Sequence, residues 1–396
     1  MRLTGRRVVL GVSGGIASYK ACFVARRLTE AGATVDVVLT SSAAEFVRPV
    51  TFEGLTGRPV LTSLWDRDRA LAHISLARDS DLVIVAPATA NLIARAAQGM
   101  ADDLLTAILL ARRGPVLFAP AMNDKMFSHP QTQKNLQALR ARGWIAVGPE
   151  TGPLAEGWSD EPGRMSEPEK IAAHAERLLR SPHSRLNGKK VVVTAGPTRE
   201  PLDPVRVITN RSSGRMGYAL ARAAFARGAE VTLISGPTLL PSPPGIEPVR
   251  VESTEEMAKA VAAALKKAAV LVMAAAPADF RPARTAKVKR PRSEGPVSLE
   301  LEPTPDILEK TKSLRRSCIT VGFALETGPN LDRAKKKLEE KGLDLIVVNR
   351  ADEPGSGAEV ETNRVTVIGK KGRQTLPLLA KEEVAEKIWD AVEELL

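Results

Sequence analysis

The sequence predicts an α/β fold of two tandem doubly wound, Rossmann-like domains. Two observations predict it. A strand, a glycine-bearing loop, a helix and a second strand occur in that order twice, first from Gly5 to Leu39 and again from Gly188 to Ile234. The 396 residues favour two domains over one. The composition agrees: 43% of residues are hydrophobic but only 4% aromatic, so the cores must be built from Ala, Val, Leu and Ile, as in sheets buried on both faces.

In the first copy Arg7 to Leu10 reads as the opening strand, Gly11-Val12-Ser13-Gly14-Gly15 as its loop and Ile16 to Ala31 as the helix. Thr34 to Leu39 is the next strand, followed by the small polar run Thr40 to Ala44, and ligands in open sheets sit at such strand ends. Trp65 is expected to be half-buried. Asp81 to Val85 is a short buried strand that runs into Pro87-Ala88-Thr89-Ala90-Asn91 and an Ala-rich helix. His73 lies just ahead of that strand. Asp102 and Asp103 put acid into the first turn of a further helix. Val116 to Phe118 is a strand ending in Ala119-Pro120-Ala121-Met122-Asn123, and Ile145 to Val147 is the last. The Gly- and Pro-rich stretch from Gly148 to Met165 reads as a flap.

Leu179 to Asn187 is polar and broken by proline, so the domains are placed at 1–182 and 189–396 with a linker at 183–188. The second copy holds the strand Val191 to Val193, the loop Thr194 to Pro197 and a polar segment ending in Asn210-Arg211-Ser212-Ser213-Gly214. The apolar helix Met216 to Ala226 comes next. Strand, loop and helix together aim backbone N–H groups and a positive helix end at one spot, the arrangement that grips phosphate. Val270 to Ala276 is a buried strand running into Pro277-Ala278-Asp279. Arg281 to Arg292 carries six basic residues and no acid. Thr304 is the expected cap of a helix with Pro305 in its first turn. Lys337 and Lys341 lie one turn apart on a basic helix, so both ammonium groups can face one polyphosphate.

The net charge of +11 suggests anionic ligands. A nucleic-acid surface interleaves aromatics with basic residues, and the Arg281 to Arg292 run has none, so no nucleic-acid partner is expected. No apolar run approaches the ~20 residues that cross a membrane, and no signal peptide is evident. Cys22 and Cys318 fall in separate halves, which argues against a disulfide and for a reducing cytoplasm. The four histidines are scattered and form no metal cluster.

Taken in order, these stretches resemble one family over nearly the whole chain: the bifunctional phosphopantothenoylcysteine decarboxylase / phosphopantothenate–cysteine ligase of coenzyme A biosynthesis. The first half is also similar to the flavin-dependent cysteine decarboxylases. The resemblance implies a flavoprotein-type N-terminal domain and a ligase-type C-terminal domain. In the first it implies FMN contacts at Ser13, Gly14, Gly15, Ser41, Pro87, Thr89, Asn91 and Met122, with Thr89 standing where many relatives carry Ser. It implies His73 as the general base and Asn123 as the residue that holds the departing carboxylate. The family's flap reads Leu-Ala-Cys-Gly ahead of Gly-Arg-Met. This chain has Leu154-Ala155-Glu156-Gly157 and then Gly163-Arg164-Met165, so Glu156 replaces the thiol that donates a proton. A carboxyl kept protonated by desolvation under the flap can take over that task.

For the ligase half the resemblance implies that Asn210 orients an acyl nucleotide and Lys289 meets phosphate charge. It implies CTP contacts at Gly196, Ser212, Gly214, Met273, Ala274, Ala275, Asp279, Thr304, Pro305, Asp306, Ile307, Phe323, Lys337 and Lys341, with Mg²⁺ at Asp279. The substrates would be 4′-phosphopantothenate, cysteine and CTP. Trimeric flavin domains and dimeric ligase domains would compound into a large homo-oligomer, up to a dodecamer. Two other functions stay open at this point. One is a ligase carrying a degenerate FMN-binding module, because of Glu156. The other is a nicotinamide-dependent oxidoreductase, although neither glycine loop is a clean Gly-x-Gly-x-x-Gly.

Overall fold

The structure is a computed structural model that describes residues 3–65, 71–289, 298–326, 328, 331–350, 355–357, 360–370 and 372–396. It divides into two compact units, Met1–Arg180 and Ser181–Leu396.

The first unit is a five-stranded parallel sheet in the spatial order Thr34–Leu39, Arg7–Val12, Leu82–Ala88, Val116–Pro120, Ile145–Ala146. The strands alternate faces, so every second residue joins a different core. Val8, Leu10, Leu82 and Ile84 pack with Val24 and Leu28 of the Ser18–Glu30 helix and Ile171 of the Pro168–Arg180 helix. Val9, Val83, Val85 and Phe118 pack on the other side with Leu92, Leu105 and Leu136, from the helices Ala90–Gln98, Leu104–Ala111 and Pro130–Ala141. Burial on both faces is why the strands read as unbroken apolar runs. The order reverses between Arg7–Val12 and Leu82–Ala88, each a neighbour of the other, and that switch point fixes where a ligand cleft opens.

In the second unit, six parallel strands run in the order Val249–Arg250, Glu230–Ser235, Lys190–Ala195, Val270–Met273, Ile319–Glu326, Leu345–Arg350. Val365–Gly369 and Gly372–Thr375 extend the sheet in antiparallel fashion. Its switch point lies between Lys190–Ala195 and Val270–Met273. The Thr254–Ala264 helix lends Met257 and Val261 to one core. The Arg215–Ala226 and Lys381–Glu393 helices pack together, with Trp389 fully buried and its Nε1 donating to the Leu220 carbonyl at 2.9 Å. Three short two-stranded ribbons accompany this sheet among the described residues: Arg199–Pro201 with Val207–Thr209, Phe280–Pro282 with Leu301–Pro303, and Thr362–Asn363 with Leu379–Ala380.

Several local expectations are corrected. The stretch read as a flap is an antiparallel hairpin, Glu150–Leu154 against Gly157–Arg164, with Ala155 and Glu156 at its tip. Trp65 is 90% exposed, not half-buried. His73 sits in the first turn of a helix, Ala72–Asp79, that intervenes before the strand. Asp103 caps the Leu104–Ala111 helix instead of lying inside its first turn, because its carboxylate accepts the Thr106 N–H at 2.8 Å. Asp306, not Thr304, caps the Ile307–Lys310 helix by accepting the Glu309 N–H at 3.0 Å, while the Thr304 hydroxyl is spent on the Ala278 carbonyl at 2.6 Å. Arg290 and Arg292 of the basic run lie outside the described residues.

Candidate functional site

The first unit opens at its switch point into a cavity of about 770 Å³, within the size range of cofactor and small-molecule sites. Its floor is one hydrogen-bonded joint between two strand ends. The Ser13 hydroxyl donates to the Pro87 carbonyl at 2.8 Å and accepts from the Thr89 N–H at 3.1 Å. Thr89 in turn caps the Ala90–Gln98 helix, accepting the Leu92 N–H at 3.4 Å. Pro87 therefore acts through its carbonyl and does not itself line the cavity. Ser13, Gly14, Gly15, Ser41, Thr89, Asn91 and Met122 all do.

Gly14 is required sterically, since a Cβ there would stand 2.3 Å from Ser42 Cβ and 2.6 Å from its carbonyl carbon. The Ser18–Glu30 helix begins immediately after the loop with no side-chain cap. The backbone N–H groups of Gly14, Ile16 and Ala17 make no hydrogen bond among the described residues. Uncommitted donors at a helix N-terminus, backed by a loop that admits no side chain at Gly14, form a cradle suited to a phosphate. The residues present thus fit a phosphate-bearing flavin.

The opposite wall is built by the hairpin. The Met122 N–H donates to the Gly163 carbonyl at 3.0 Å, and a Cβ at Gly163 would come within 2.6 Å of the Met122 carbonyl. That close seat ties the hairpin to the Met122–Asn123 loop. Ser159 Oγ donates to Asp124 at 2.6 Å, a bond that holds the Asp124 carboxyl below its ordinary range. Asn123 caps the Asp124–Ser128 helix, its Oδ1 accepting from Lys125 at 2.8 Å and Met126 at 3.4 Å. Its Nδ2 donates to Glu156, and both residues line the cavity. Glu156 is exposed at the hairpin tip, so the expected desolvation under the flap is not found in the single chain. His73 is not brought there. Its Nδ1 is buried without a partner among the described residues, and its helix lines a different cleft with Arg7, Asp36 and Arg58.

Sequence reasoning missed the charged rim. Lys20 lines the cavity and pairs with Glu167 at 3.1 Å; Arg95 lines it and pairs with Asp103 at 2.8 Å; Arg164 pairs with Glu167. The partner of Lys20, Glu167, lies 147 positions further along the chain, just ahead of the Pro168–Arg180 helix, so only the fold brings the two together. Lys20 is nonetheless buried, 8% exposed as a residue.

The second unit builds its site on the same logic. The Ala276 N–H donates to the Gly196 carbonyl at 2.9 Å, and the Ala275 N–H donates to Thr194 Oγ1 at 3.1 Å, joining the two strand ends. Gly214 precedes the Arg215–Ala226 helix with φ of 76°, and a Cβ on it would come within 3.3 Å of the Gly196 nitrogen. The Gly214 N–H donates to Ser212 Oγ at 3.4 Å. Asn210 Nδ2 donates to the Pro277 carbonyl at 2.8 Å, which sets its amide beside the segment after Met273 and Ala274. The Thr304 N–H donates to the Asp279 carbonyl at 2.9 Å, bringing Thr304, Pro305, Asp306 and Ile307 to the same edge. Thr194, which the sequence places at the start of the loop, and Thr198, which the sequence reading left out, are fully buried joints of this edge.

Lys337 and Lys341 do not present equivalent charges. Lys337 Nζ donates to the Phe323 carbonyl at 2.9 Å, and burial pushes its amine below the ordinary lysine range. Lys341 Nζ pairs with Asp306 at 2.8 Å, and that partner raises it. Lys289 is exposed and makes no hydrogen bond or ion pair among the described residues. Asp279 is exposed, and among the described residues no group of three His, Cys, Asp or Glu side chains could hold a metal ion. Asp279 alone therefore builds no protein-only cation site among the described residues, whereas Mg²⁺ carried on a nucleotide's phosphates needs only one or two carboxylates from the protein.

Comparison with known proteins bears on both units. Residues 1–179 match the Flavoprotein family, and residues 186–396 match the family described as DNA/pantothenate metabolism flavoprotein C-terminal domain. The Coenzyme A biosynthesis bifunctional protein CoaBC of Vibrio cholerae is 45% identical, over 99% of this chain and 99% of its own. The protein of the same name from Mycobacterium tuberculosis is 48% identical, over 98% of this chain and 96% of its own. A crystal structure of the C-terminal domain of a protein of that name is 41% identical, covering 53% of this chain and 96% of its own with a TM-score of 0.46. Among the described residues no helix is long and apolar enough to cross a membrane.

Proposed function

This chain belongs to the family of coenzyme A biosynthesis bifunctional proteins, which join a decarboxylase and a ligase, and from that premise we propose how its two sites divide the work. The second unit takes CTP, 4′-phosphopantothenate and cysteine. It forms an acyl-cytidylate with loss of pyrophosphate, and the cysteine amine then displaces CMP to give the amide. The first unit removes the cysteine carboxylate of that amide as CO₂ and leaves 4′-phosphopantetheine.

The observation that carries the reading is the cavity at the first switch point. A cradle for a phosphate forms one wall, and an amide–carboxylate pair, Asn123 with Glu156, forms the other. FMN fits the cradle and would supply the transient oxidation that makes the substrate carboxylate a leaving group. Ser13 holds the loop, Gly14 would let the backbone approach the phosphate, and Met122 and Thr89 would help hold the cofactor as cavity-lining residues. Asn123 Nδ2 orients the substrate carboxylate. Glu156 returns a proton in place of the family's thiol.

In the second unit the joint of Gly196, Gly214 and Ala275 supports phosphate binding by backbone. Lys337, held at Phe323, supports a role toward the polyphosphate. Asn210 is assigned to the acyl transfer and Lys289 to the charge that develops during activation. Mg²⁺ would arrive with the nucleotide's phosphates.

His73 is assigned as general base, delivered to the cavity of a neighbouring copy. Exposed Ile16, Tyr19, Phe23, Phe46 and Val50 on the first unit, and Val205, Val207 and Phe280 on the second, support assembly of both units into a homo-oligomer. Two free thiols, Cys22 and Cys318, support a reducing cytoplasmic location.

The test is the cofactor. The purified protein should be yellow, release FMN on denaturation and liberate pyrophosphate from CTP only when 4′-phosphopantothenate is present. A colourless protein, or one that releases a nicotinamide nucleotide, contradicts the reading.

A further inference from the structure

We propose that Asn123 gathers two carboxylates on one amide nitrogen, that of Glu156 and that of the bound substrate, so that substrate binding takes up a proton from solvent. The inference rests on the reading of the first cavity as the decarboxylase site.

The orientation of the Asn123 amide is fixed by its oxygen. Oδ1 accepts two backbone N–H groups, from Lys125 at 2.8 Å and Met126 at 3.4 Å. A flipped amide would turn a donor toward those donors, so Nδ2 must face the cavity. One of its hydrogens goes to Glu156 and the second remains. A substrate carboxylate that takes the second hydrogen stands beside the first carboxylate. Two carboxylates held that close do not both stay ionised, and the site binds one proton between them.

No nearby cation is committed to relieving the pair. Lys20 and Arg164 are paired with Glu167, and Arg95 with Asp102 and Asp103. Asp124 is engaged by Ser159, and Lys125 is exposed and does not line the cavity. Glu156 itself has no ion-pair partner among the described residues.

Summed over the reaction, the carbon–carboxylate bond breaks, CO₂ departs, and the carbon that kept the electron pair gains one proton. Uptake on binding supplies that proton in advance. It stays on Glu156 once the substrate carboxyl has gone, one amide away from the carbon that needs it.

The probe is the serine analogue of 4′-phosphopantothenoylcysteine, which keeps the carboxylate and lacks the thiol, bound to the full-length flavin-loaded protein. Calorimetry in two buffers of different ionisation enthalpy counts protons. 4′-Phosphopantetheine, which has the phosphate but no carboxylate, cancels titration of the phosphate. At pH 7 the difference between the ligands should approach about one proton in the wild type, with the analogue's Kd weakening by up to roughly tenfold per pH unit. Glu156→Ala should bring the difference to zero and leave that Kd flat with pH. Equal uptake in wild type and Glu156→Ala overturns the inference. So does tighter binding by Glu156→Ala with no uptake in the wild type, which means that Glu156 merely swings aside. If neither ligand binds the wild type, the reading of the cavity fails, and this inference with it.

Discussion

Lys337 and Lys341 show how much one side chain's partner decides. Spacing alone offers both ammonium groups to a polyphosphate, but Asp306 already neutralises Lys341, whereas Lys337 hydrogen-bonds the Phe323 carbonyl and has no ion pair among the described residues. Lys337→Ala should therefore raise the KM for CTP clearly, while Lys341→Ala should change it little, as steady-state kinetics will measure. Equal effects would show that the ion pair opens when the nucleotide binds. Lys289 is predicted to act on the barrier: one donor aimed at developing charge is worth about 10²–10³ in kcat, and Lys289→Gln should lose that much with KM nearly unchanged. Asn210→Ala should still release pyrophosphate but form little amide, and loss of both would move Asn210 into nucleotide binding. The identity of these residues was legible in the sequence because motifs fix residue types at fixed spacings. Their pairing was not, because Asp306 lies 35 positions from Lys341 in the chain and only the fold closes that distance.

At the scale of elements, strands and loops were readable because parallel strands buried on both faces leave unbroken aliphatic runs. The hairpin from Glu150 to Arg164 was not, since Gly152, Pro153, Gly157 and Pro162 disguise a strand pair as a loop. Its seat on Met122 is a backbone contact that no side-chain pattern reports. The Ser13–Gly15 loop makes a sharp prediction. Gly14→Ala would drive a Cβ into the Ser42 backbone and should cost ~1–3 kcal/mol with loss of flavin, whereas a Cβ at Gly15 meets only Thr89 Cγ2 at 3.5 Å. Chemical denaturation of the two variants should separate them, and equal losses would show that the loop shifts to make room.

The Pro168–Arg180 helix carries a pH-dependent contribution. His174 is held down to about 4 by burial first and by Lys170 and Arg177 second. Its folded value lies below its unfolded one, so the unfolded chain binds the extra proton as pH falls from 6.5 toward 4, and folded stability drops over that window. Denaturation midpoints of the wild type should fall faster than those of His174→Gln between those pH values. Parallel curves would contradict the assignment.

For the whole molecule, the division into two units was legible from the repeated strand–loop–helix pattern, and the two family matches fall one to each unit. Completion of the first site was not legible. The sequence offers His73 and Asn123 as partners, yet within one chain His73 is not among the residues that line the cavity holding Asn123. Mixed oligomers of His73→Asn and Asn123→Ala subunits should recover CO₂ release that neither variant shows alone; no recovery would return His73 to a structural role within its own subunit. Purified protein given 4′-phosphopantothenate, cysteine and CTP should yield pyrophosphate, CO₂ and 4′-phosphopantetheine in equal amounts over many turnovers. Pyrophosphate and amide without CO₂, or CO₂ released once per flavin and then no more, would contradict the proposed function and leave the ligase as the working half.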